Sequence, residues 1–252
     1  MGMSGSFDEF ARLVTDIKNR GFIKSTRKGP TGIGKLFEDL LGKEEDNAAA
    51  PDFGDIEIKV HDGRAGSMIT LFTKAPTSPR QANTYLRENY GAADPESGLK
   101  SLHATVSATR RTNSNVYDYD FQIFVDEARQ RVVQLVFDKS GNMIDDSVYW
   151  SFDVLATQME RKLKNLALVH AEKEVRQDGT YYRYTGVDYI EDINIDMLIP
   201  ALIDGAVKVD NRIGSYKSGP NFGKTHDHGT GFRITQSDLL HYGNITNKVI
   251  EL

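Results

Sequence analysis

The sequence predicts an α/β fold of the α+β kind, with a mixed sheet. Three observations carry that expectation. Apolar and polar residues alternate over short runs, as half-buried strands require. Pairs of such runs are separated by turn residues and read as hairpins. Segments with helical spacing are scattered between them rather than gathered at one end. The 252 residues suffice for one large domain or two modest lobes around a sizeable core.

The elements follow in order. Ser6-Phe7-Asp8-Glu9 has the spacing of a helix-capping box. Phe7, Phe10, Leu13, Val14 and Ile17 then recur at helical spacing, and Gly21 ends the helix. Residues 26–35 form a basic, glycine-rich loop. It lacks the Gly-Lys-Ser/Thr order of a phosphate loop and no strand precedes it, so a nucleotide site is rejected. Its Lys28 suits a DNA phosphate instead. A second helix places Ile33, Leu36, Phe37, Leu40 and Leu41 on its buried stripe, with Glu38 at the stripe's edge. On position alone, Glu38 reads more readily as a solvated helix-edge acid.

Residues 55–61 alternate as a half-buried strand, with Ile56, Ile58 and Val60 on one face and Glu57, Lys59 and His61 on the other. Asp62-Gly63-Arg64 turns the chain, and residues 67–74 read as the antiparallel neighbour. Thr77-Ser78-Pro79 opens a helix to about Asn89. Residues 117–125 and 131–138 form an aromatic and β-branched hairpin. The apolar run 148–152 leads into a helix to about Asn165. Residues 166–175 and 180–184 make a further hairpin around Gly179. A helix is expected over 194–205 despite Pro200, a strand over 207–213 and a short helix over 237–242. No internal repeat or low-complexity segment is evident.

Composition narrows the class. Hydrophobic residues make up 39% and aromatics 10%, as in a soluble globular protein. No run of eighteen apolar residues exists, so no membrane span or membrane partner is expected. The first six residues lack the apolar core of a signal peptide. Without cysteine there is neither a disulfide nor a thiolate zinc site, and the expected location is cytoplasmic. The net charge of −5 does not advertise a nucleic-acid binder, but its distribution is uneven. Residues 1–35 carry seven Lys/Arg against three Asp/Glu, residues 36–62 two against nine, and residues 63–117 seven against three. An acidic block between basic ones suits a metal centre inside a polyanion cleft, though ordinary surface patterning accounts for it as well.

The chemistry concentrates at residues 51–59. A Pro-led, Gly-containing turn delivers Asp52 near the polar face that carries Glu57 and Lys59. Two carboxylates beside an ammonium can hold a divalent cation through oxygen. An acidic residue two before a lysine occurs three times: Asp16/Lys18, Glu57/Lys59 and Glu160/Lys162. The first and third lie in expected helices, where residues two apart do not face each other. Only Glu57/Lys59 lies on a strand, and a solvated ion pair is the bland alternative there.

A second polar concentration is late. Residues 209–219 contain Asp210, Arg212, Tyr216 and Lys217, and residues 223–234 contain His226, Asp227, His228 and Arg233. His226 and His228 could be read as a metal pair, but a structural zinc site needs two more ligands. Such residues in glycine-rich loops suit hydrogen bonding to base edges. A turn whose histidines cap neighbouring backbone fits the spacing equally well.

These residues resemble a known family. Residues 32–41, Lys43-Glu44-Glu45-Asp46-Asn47 and residues 51–59 look like the catalytic segment of the MvaI/BcnI-type restriction endonucleases, which are related in fold to the MutH mismatch-repair nickase. The likeness continues through Leu71-Phe72-Thr73-Lys74, Thr112-Asn113-Ser114-Asn115, residues 147–153 and residues 223–234. It covers most of the chain, more closely on the MvaI side than the BcnI side. The N-terminal helix and residues 165–205 match less clearly.

The resemblance implies a PD-(D/E)xK core, with a catalytic lobe at about 1–180 and a DNA-recognition lobe at about 181–252. It implies a Mg²⁺-dependent phosphodiesterase that acts on double-stranded DNA as a monomer, cutting one strand after the other. A cognate DNA methyltransferase would protect host sites. By motif position Glu38, Asp52, Glu57 and Lys59 match the active-site residues. Asp52, Glu57 and the backbone carbonyl of Ile58 would hold the metal. Asp210, Arg212, His226, Asp227, His228 and Arg233 are candidates for base contacts, and Lys28, Lys74, Tyr216 and Lys217 for further DNA contacts. The implied target is CCWGG, cut between the second C and W. The rival readings are a MutH-like nickase awaiting a partner, a DNA-binding protein without cleavage, and a metallohydrolase built on His226 and His228.

Overall fold

A computed structural model describes residues 7–29, 31–42, 51–62 and 67–245. Ser6 of the expected capping box, Pro30, residues 43–47 of the acidic run, and Gly63 and Arg64 of the expected turn lie outside the described residues.

The chain begins with α1 (Phe7–Asn19), β1 (Ile23–Lys24), α2 (Gly32–Leu40), β2 (Ile56–His61) and β3 (Met68–Thr73). It continues through α3 (Ala82–Tyr90), β4 (Ala92–Ala93), β5 (Lys100–Val106), β6 (Tyr119–Asp126), β7 (Arg131–Asp138) and β8 (Met143–Ser151). Next come α4 (Phe152–Lys162), β9 (Asn165–Arg176), β10 (Gly179–Glu191) and α5 (Ile195–Ile203). The last elements are β11 (Lys208–Ser215), β12 (Thr225–Asp227), β13 (Gly231–Thr235), α6 (Gln236–Tyr242) and β14 (Asn244–Ile245). The mixture of helices and sheets is the α+β arrangement expected. Two compact units result. One comprises Met1–Ile69, Met159–Asn194 and Leu239–Leu252; the other comprises Thr70–Gln158 and Ile195–Asp238.

The first unit is built on a sheet of order β1-β10-β9-β2, with β14 beside β10. β9 and β10 form a long antiparallel hairpin, running on to Glu191 rather than stopping near Tyr184. β2 adds to β9 in parallel, at the end of that strand order. Helices α1 and α2 cover one face. Phe10, Val14 and Ile17 of α1 and Ile33, Leu36 and Phe37 of α2 are buried with Ile56 and Ile58 of β2. Each such side chain contributes about 1.5–3 kcal/mol through its removal from water. Tyr184 is fully buried among them, and its hydroxyl donates to the Ile33 carbonyl at 2.8 Å, tying β10 to α2.

Two expectations need correction here. β3 is not the antiparallel neighbour of β2; it pairs with β13, and β2 takes β9 instead. Nor is β2 half-buried by alternation. Glu57 is 1% exposed and His61 7%, so both faces are covered. Leu166 and Leu168, register partners of Glu57 and Lys59, are likewise fully buried.

The second unit holds a sheet of order β3-β13-β11-β5-β4, with β12 beside β11, and a three-stranded sheet β6-β7-β8. The expected hairpin of 117–138 is β6 and β7, antiparallel throughout. The lone tryptophan, Trp150, is fully buried and donates its indole N–H to the Lys74 carbonyl at 2.8 Å. Its ring meets Phe232 edge-on at 5.6 Å. Helix α3 is moored to β8 by the hydroxyls of Tyr85 and Tyr90, both donating to Asp145 Oδ2 at 2.9 and 2.7 Å.

Candidate active site

The turn before β2 sets the geometry. Phe53 and Ile56 exchange both backbone hydrogen bonds, at 2.9 and 2.8 Å. That closure is tight enough to require the left-handed conformation of Gly54, at φ +58°. Phe53 is buried against Phe10, with ring centroids 5.6 Å apart, and pins the turn to the core. Asp52 is thereby folded back alongside β2, where its Oδ2 accepts the Ile58 N–H at 2.9 Å. In a strand, one residue's N–H and C=O point to the same side. The Ile58 carbonyl therefore opens to the edge on which Asp52 lies.

Glu57 projects from the same strand, one residue earlier. Lys59, two residues on and facing the same way, donates to Glu57 Oε1. Lys162 Nζ stands 3.6 Å from the same oxygen. The other oxygen, Oε2, is buried and has no hydrogen-bond partner among the described residues. Burial holds the Glu57 carboxyl above its ordinary range, and nearby Asp52 adds to the rise, against the pull of Lys59 and Lys162. A buried carboxylate oxygen without a donor is an expensive feature unless a cation meets it.

The residues present fit a hard divalent cation. Among the described residues no cluster of three or more His, Asp or Glu side chains stands ready for a metal. The donors here are two carboxylates and one peptide oxygen. Mg²⁺ is commonly held by one or two carboxylates, with waters and substrate phosphates completing the shell. Glu38 is half-buried on α2, the helix that packs on β2.

Lys162 was missed by sequence reading. It belongs to the third acidic-x-Lys triplet, set aside because it is helical, and it ends α4. The parallel register explains its arrival. Glu57 pairs with Leu166, so the chain just before β9 lies at the Glu57 end of β2. Asn165 marks the same junction by donating to Asp55 Oδ2 at 2.8 Å.

The late polar residues gather on one face of the second unit's larger sheet. Along β11, Val209, Asn211 and Ile213 are buried, whereas Lys208, Asp210 and Arg212 lie on the opposite face. Register adds Arg233 opposite Lys208, Thr105 opposite Asp210, His103 opposite Arg212 and His226 opposite Gly214. Asp210 is the hub. Its Oδ1 accepts from Thr105 Oγ1 at 2.8 Å and its Oδ2 from Arg233 Nη1 at 3.0 Å, with Arg212 Nε at 3.9 Å. Arg212 Nε also donates to the Gly229 carbonyl at 3.2 Å. Asp210 and Arg212 thus stand on the strand expected over 207–213, whereas Arg233 stands on β13 rather than in a glycine-rich loop.

Tyr216, His226 and His228 form a stack, with successive ring centroids 4.3 and 4.2 Å apart. Asp227 is held from both sides: Asn83 Nδ2 donates to Oδ2 at 2.7 Å and the Gly229 N–H to Oδ1 at 2.8 Å. Lys217 and Lys28 are exposed, and Lys74 is half-buried. Sequence reading missed His103, Thr105 and Asn83. β5 was not foreseen, and nothing in the spacing of Asn83 announces a partner far along the chain.

Such a carboxylate–lysine centre and an arginine-rich sheet face define a nuclease. The model of the MvaI/BcnI restriction endonuclease family matches residues 12–241. The chain belongs to the MvaI/BcnI restriction endonuclease family. Among solved structures it is similar to restriction endonuclease MvaI in a complex with cognate DNA substrate. The two share 50% identity with a TM-score of 0.90, covering 99% of this chain and 100% of that one. It is also similar to MvaI in the absence of DNA, at 49% identity and a TM-score of 0.68, covering 99% of each chain. No curated protein sequence matches. The protein is therefore a restriction endonuclease, and DNA is what it binds and cleaves.

Proposed function

We propose that this chain is a type II enzyme that hydrolyses both strands of CCWGG between the second C and W. It does so as a monomer, one strand after the other, with Mg²⁺ as cofactor. The observation that carries the catalytic part is Glu57: buried, engaged by Lys59 and Lys162 on one oxygen only, and beside an Asp52 folded back onto β2. Asp52, Glu57 and the Ile58 carbonyl would hold the metal. When bound, it supplies charge stabilisation to the phosphoryl oxygens and favours ionisation of the attacking water.

The chain's own residues do the rest. Lys59 orients the attacking water and stabilises the negative charge that develops on phosphorus oxygens. Glu38 is a further carboxylate that orients water or a second cation. The unit that contains β2 is the catalytic lobe, and the unit that contains β11 reads the site. Arg212 and Arg233, steered by Asp210, present guanidinium forks of the kind that recognise guanine. His226, Asp227 and His228 contact further base edges, while Lys28, Lys74, Tyr216 and Lys217 touch the backbone. The enzyme works in the cytoplasm, where a cognate methyltransferase protects host sites.

The test is a pair of variants, Glu57→Ala and Lys59→Ala, assayed for duplex binding and for cleavage. Binding should survive in both while cleavage disappears. A folded Lys59→Ala enzyme that still cuts at the normal rate contradicts the assignment.

A further inference from the structure

The second unit carries a basic groove of about 520 Å³ that the account so far leaves unused. Its lining includes His103 and Thr105 of β5, Lys208 of β11, and Arg110, Arg111 and Asn113 from the loop between β5 and β6. No Asp or Glu lines it. We propose that this groove grips the phosphodiester backbone of the DNA strand adjoining the base-reading face. The inference rests on the DNA-cleaving reading above and assigns it a set of phosphate contacts.

The loop is built to hold its shape. Arg111 Cζ stands over the Phe137 ring, 3.6 Å from its centroid, and Nη1 donates to the Gly141 carbonyl at 3.2 Å. Phe121 N–H donates to Thr112 Oγ1 at 2.8 Å, and the Thr112 N–H to the Phe121 carbonyl at 2.9 Å. The Tyr117 hydroxyl both accepts from the His103 N–H at 2.8 Å and donates to its carbonyl at 3.1 Å. Against that fixed frame, the side chains of Arg110, Asn113 and Lys208 make no hydrogen bond or ion pair among the described residues.

Position and charge agree. His103 and Thr105 are the register partners of Arg212 and Asp210, so the groove borders the polar face directly. Lys208 is opposite Arg233 in register, and Arg233 Nη1 is paired with Asp210 Oδ2 at 3.0 Å. Arg110 and Lys208, unpaired among the described residues beside a base-reading strand, are what phosphate contacts require; such contacts fix register and leave sequence choice to the bases. Each cation placed on a phosphate displaces a counterion, which makes the contribution measurable.

The experiment measures affinity for two short duplexes, one containing CCWGG and one lacking it, across a salt series without divalent metal. Wild type is compared with Arg110→Gln, Lys208→Gln and the double variant. Lys173→Gln, a loss of one exposed charge on β9, is the control. The proposal expects each groove variant to weaken both duplexes by the same factor. The slope of log affinity against log salt should fall by about 0.9 for each cation removed. The control should leave that slope alone. Thermal melting identifies any variant that has lost its fold, and the single exposed substitution at Arg110 is then decisive. An unchanged slope, or a loss confined to the CCWGG duplex, overturns the proposal. Failure of wild type itself to prefer CCWGG would instead refute the target assignment, while the salt slopes on either duplex still judge the groove.

Discussion

Lys162 and Glu57 meet although they stand 105 positions apart in the chain, with Nζ 3.6 Å from Oε1. Lys59 engages that same oxygen, and Oε2 has no hydrogen-bond partner among the described residues. We infer from this contact that Lys162 acts through Glu57 rather than on DNA. Lys162→Ala should lower kcat about 10- to 100-fold, the usual effect of removing a group that orients a metal ligand. DNA affinity should hold, and Lys162→Arg should restore most of the rate. Cleavage and binding assays on the two variants check this. Weakened DNA binding with kcat intact would move Lys162 into the DNA contacts.

Burial of the Glu57 carboxylate costs stability when no cation is present, because removal from water outweighs the two lysines. Glu57→Gln should therefore melt no lower than wild type in a chelator, and above it if Lys59 and Lys162 remain hydrated. Mg²⁺ should raise the melting temperature of wild type and leave that of the variant unmoved. Thermal melts with and without Mg²⁺ decide. Equal stabilisation of both proteins by Mg²⁺ would place the metal elsewhere.

Asn83 is 5% exposed and serves two groups at once, donating to Asp227 and accepting from Thr230 Oγ1 at 3.2 Å. Asn83→Ala strands the Thr230 hydroxyl and removes one of the two hydrogen bonds that orient Asp227. Discrimination between CCWGG and a duplex with one altered pair should fall by about 1–3 kcal/mol. The ratio of the two affinities is the readout. A loss shared equally by both duplexes would mean that Asp227 reads no base.

How far the site was legible depends on whether its parts are local. Asp52, Glu57 and Lys59 lie within one turn and one strand, so spacing alone brought them together. Lys162 arrives through the β2–β9 parallel register, which no local pattern encodes. The burial of both faces of β2, where alternation implied one, and its pairing with β9 rather than β3 likewise depend on segments distant in the chain. Asp210, Arg212 and Arg233 were visible as residue types. Their shared face was not, because it depends on β5, whose Thr105 and His103 complete it. The helices were read closely since their apolar stripes are local, as α2 illustrates with Ile33, Leu36 and Phe37.

Asp145 supplies a pH test of the mooring of α3. Burial raises its affinity for a proton, but hydrogen bonds from Tyr90, Ser147 and Tyr85 together hold its carboxyl below the ordinary aspartate value of 3.8. A depressed carboxylate contributes stability that is fully present above the unfolded value and lost as pH falls through the lower folded one. Asp145→Asn should cost on the order of 2 kcal/mol at pH 7. The gap from wild type should close as pH drops below about 3.8. Denaturant melts at several pH values measure it, and a gap that stays constant into acid would assign the loss to packing.

Arg233 tests the base-reading face. Arg233→Ala should cost about 1–3 kcal/mol and relax preference at a single base pair. Selection of cleaved sites from a randomised duplex pool reads this directly. Preference retained at every position would remove Arg233 from base recognition.

The central claim is tested most directly by incubating the purified protein with plasmid DNA and Mg²⁺ and sequencing the ends produced. The account predicts cuts confined to CCWGG, between the second C and W, with nicked circles preceding linear DNA. Cuts at an unrelated or scattered set of sites would contradict the recognition assignment. No cleavage with Mg²⁺ or Mn²⁺ despite retained DNA binding would contradict the catalytic one.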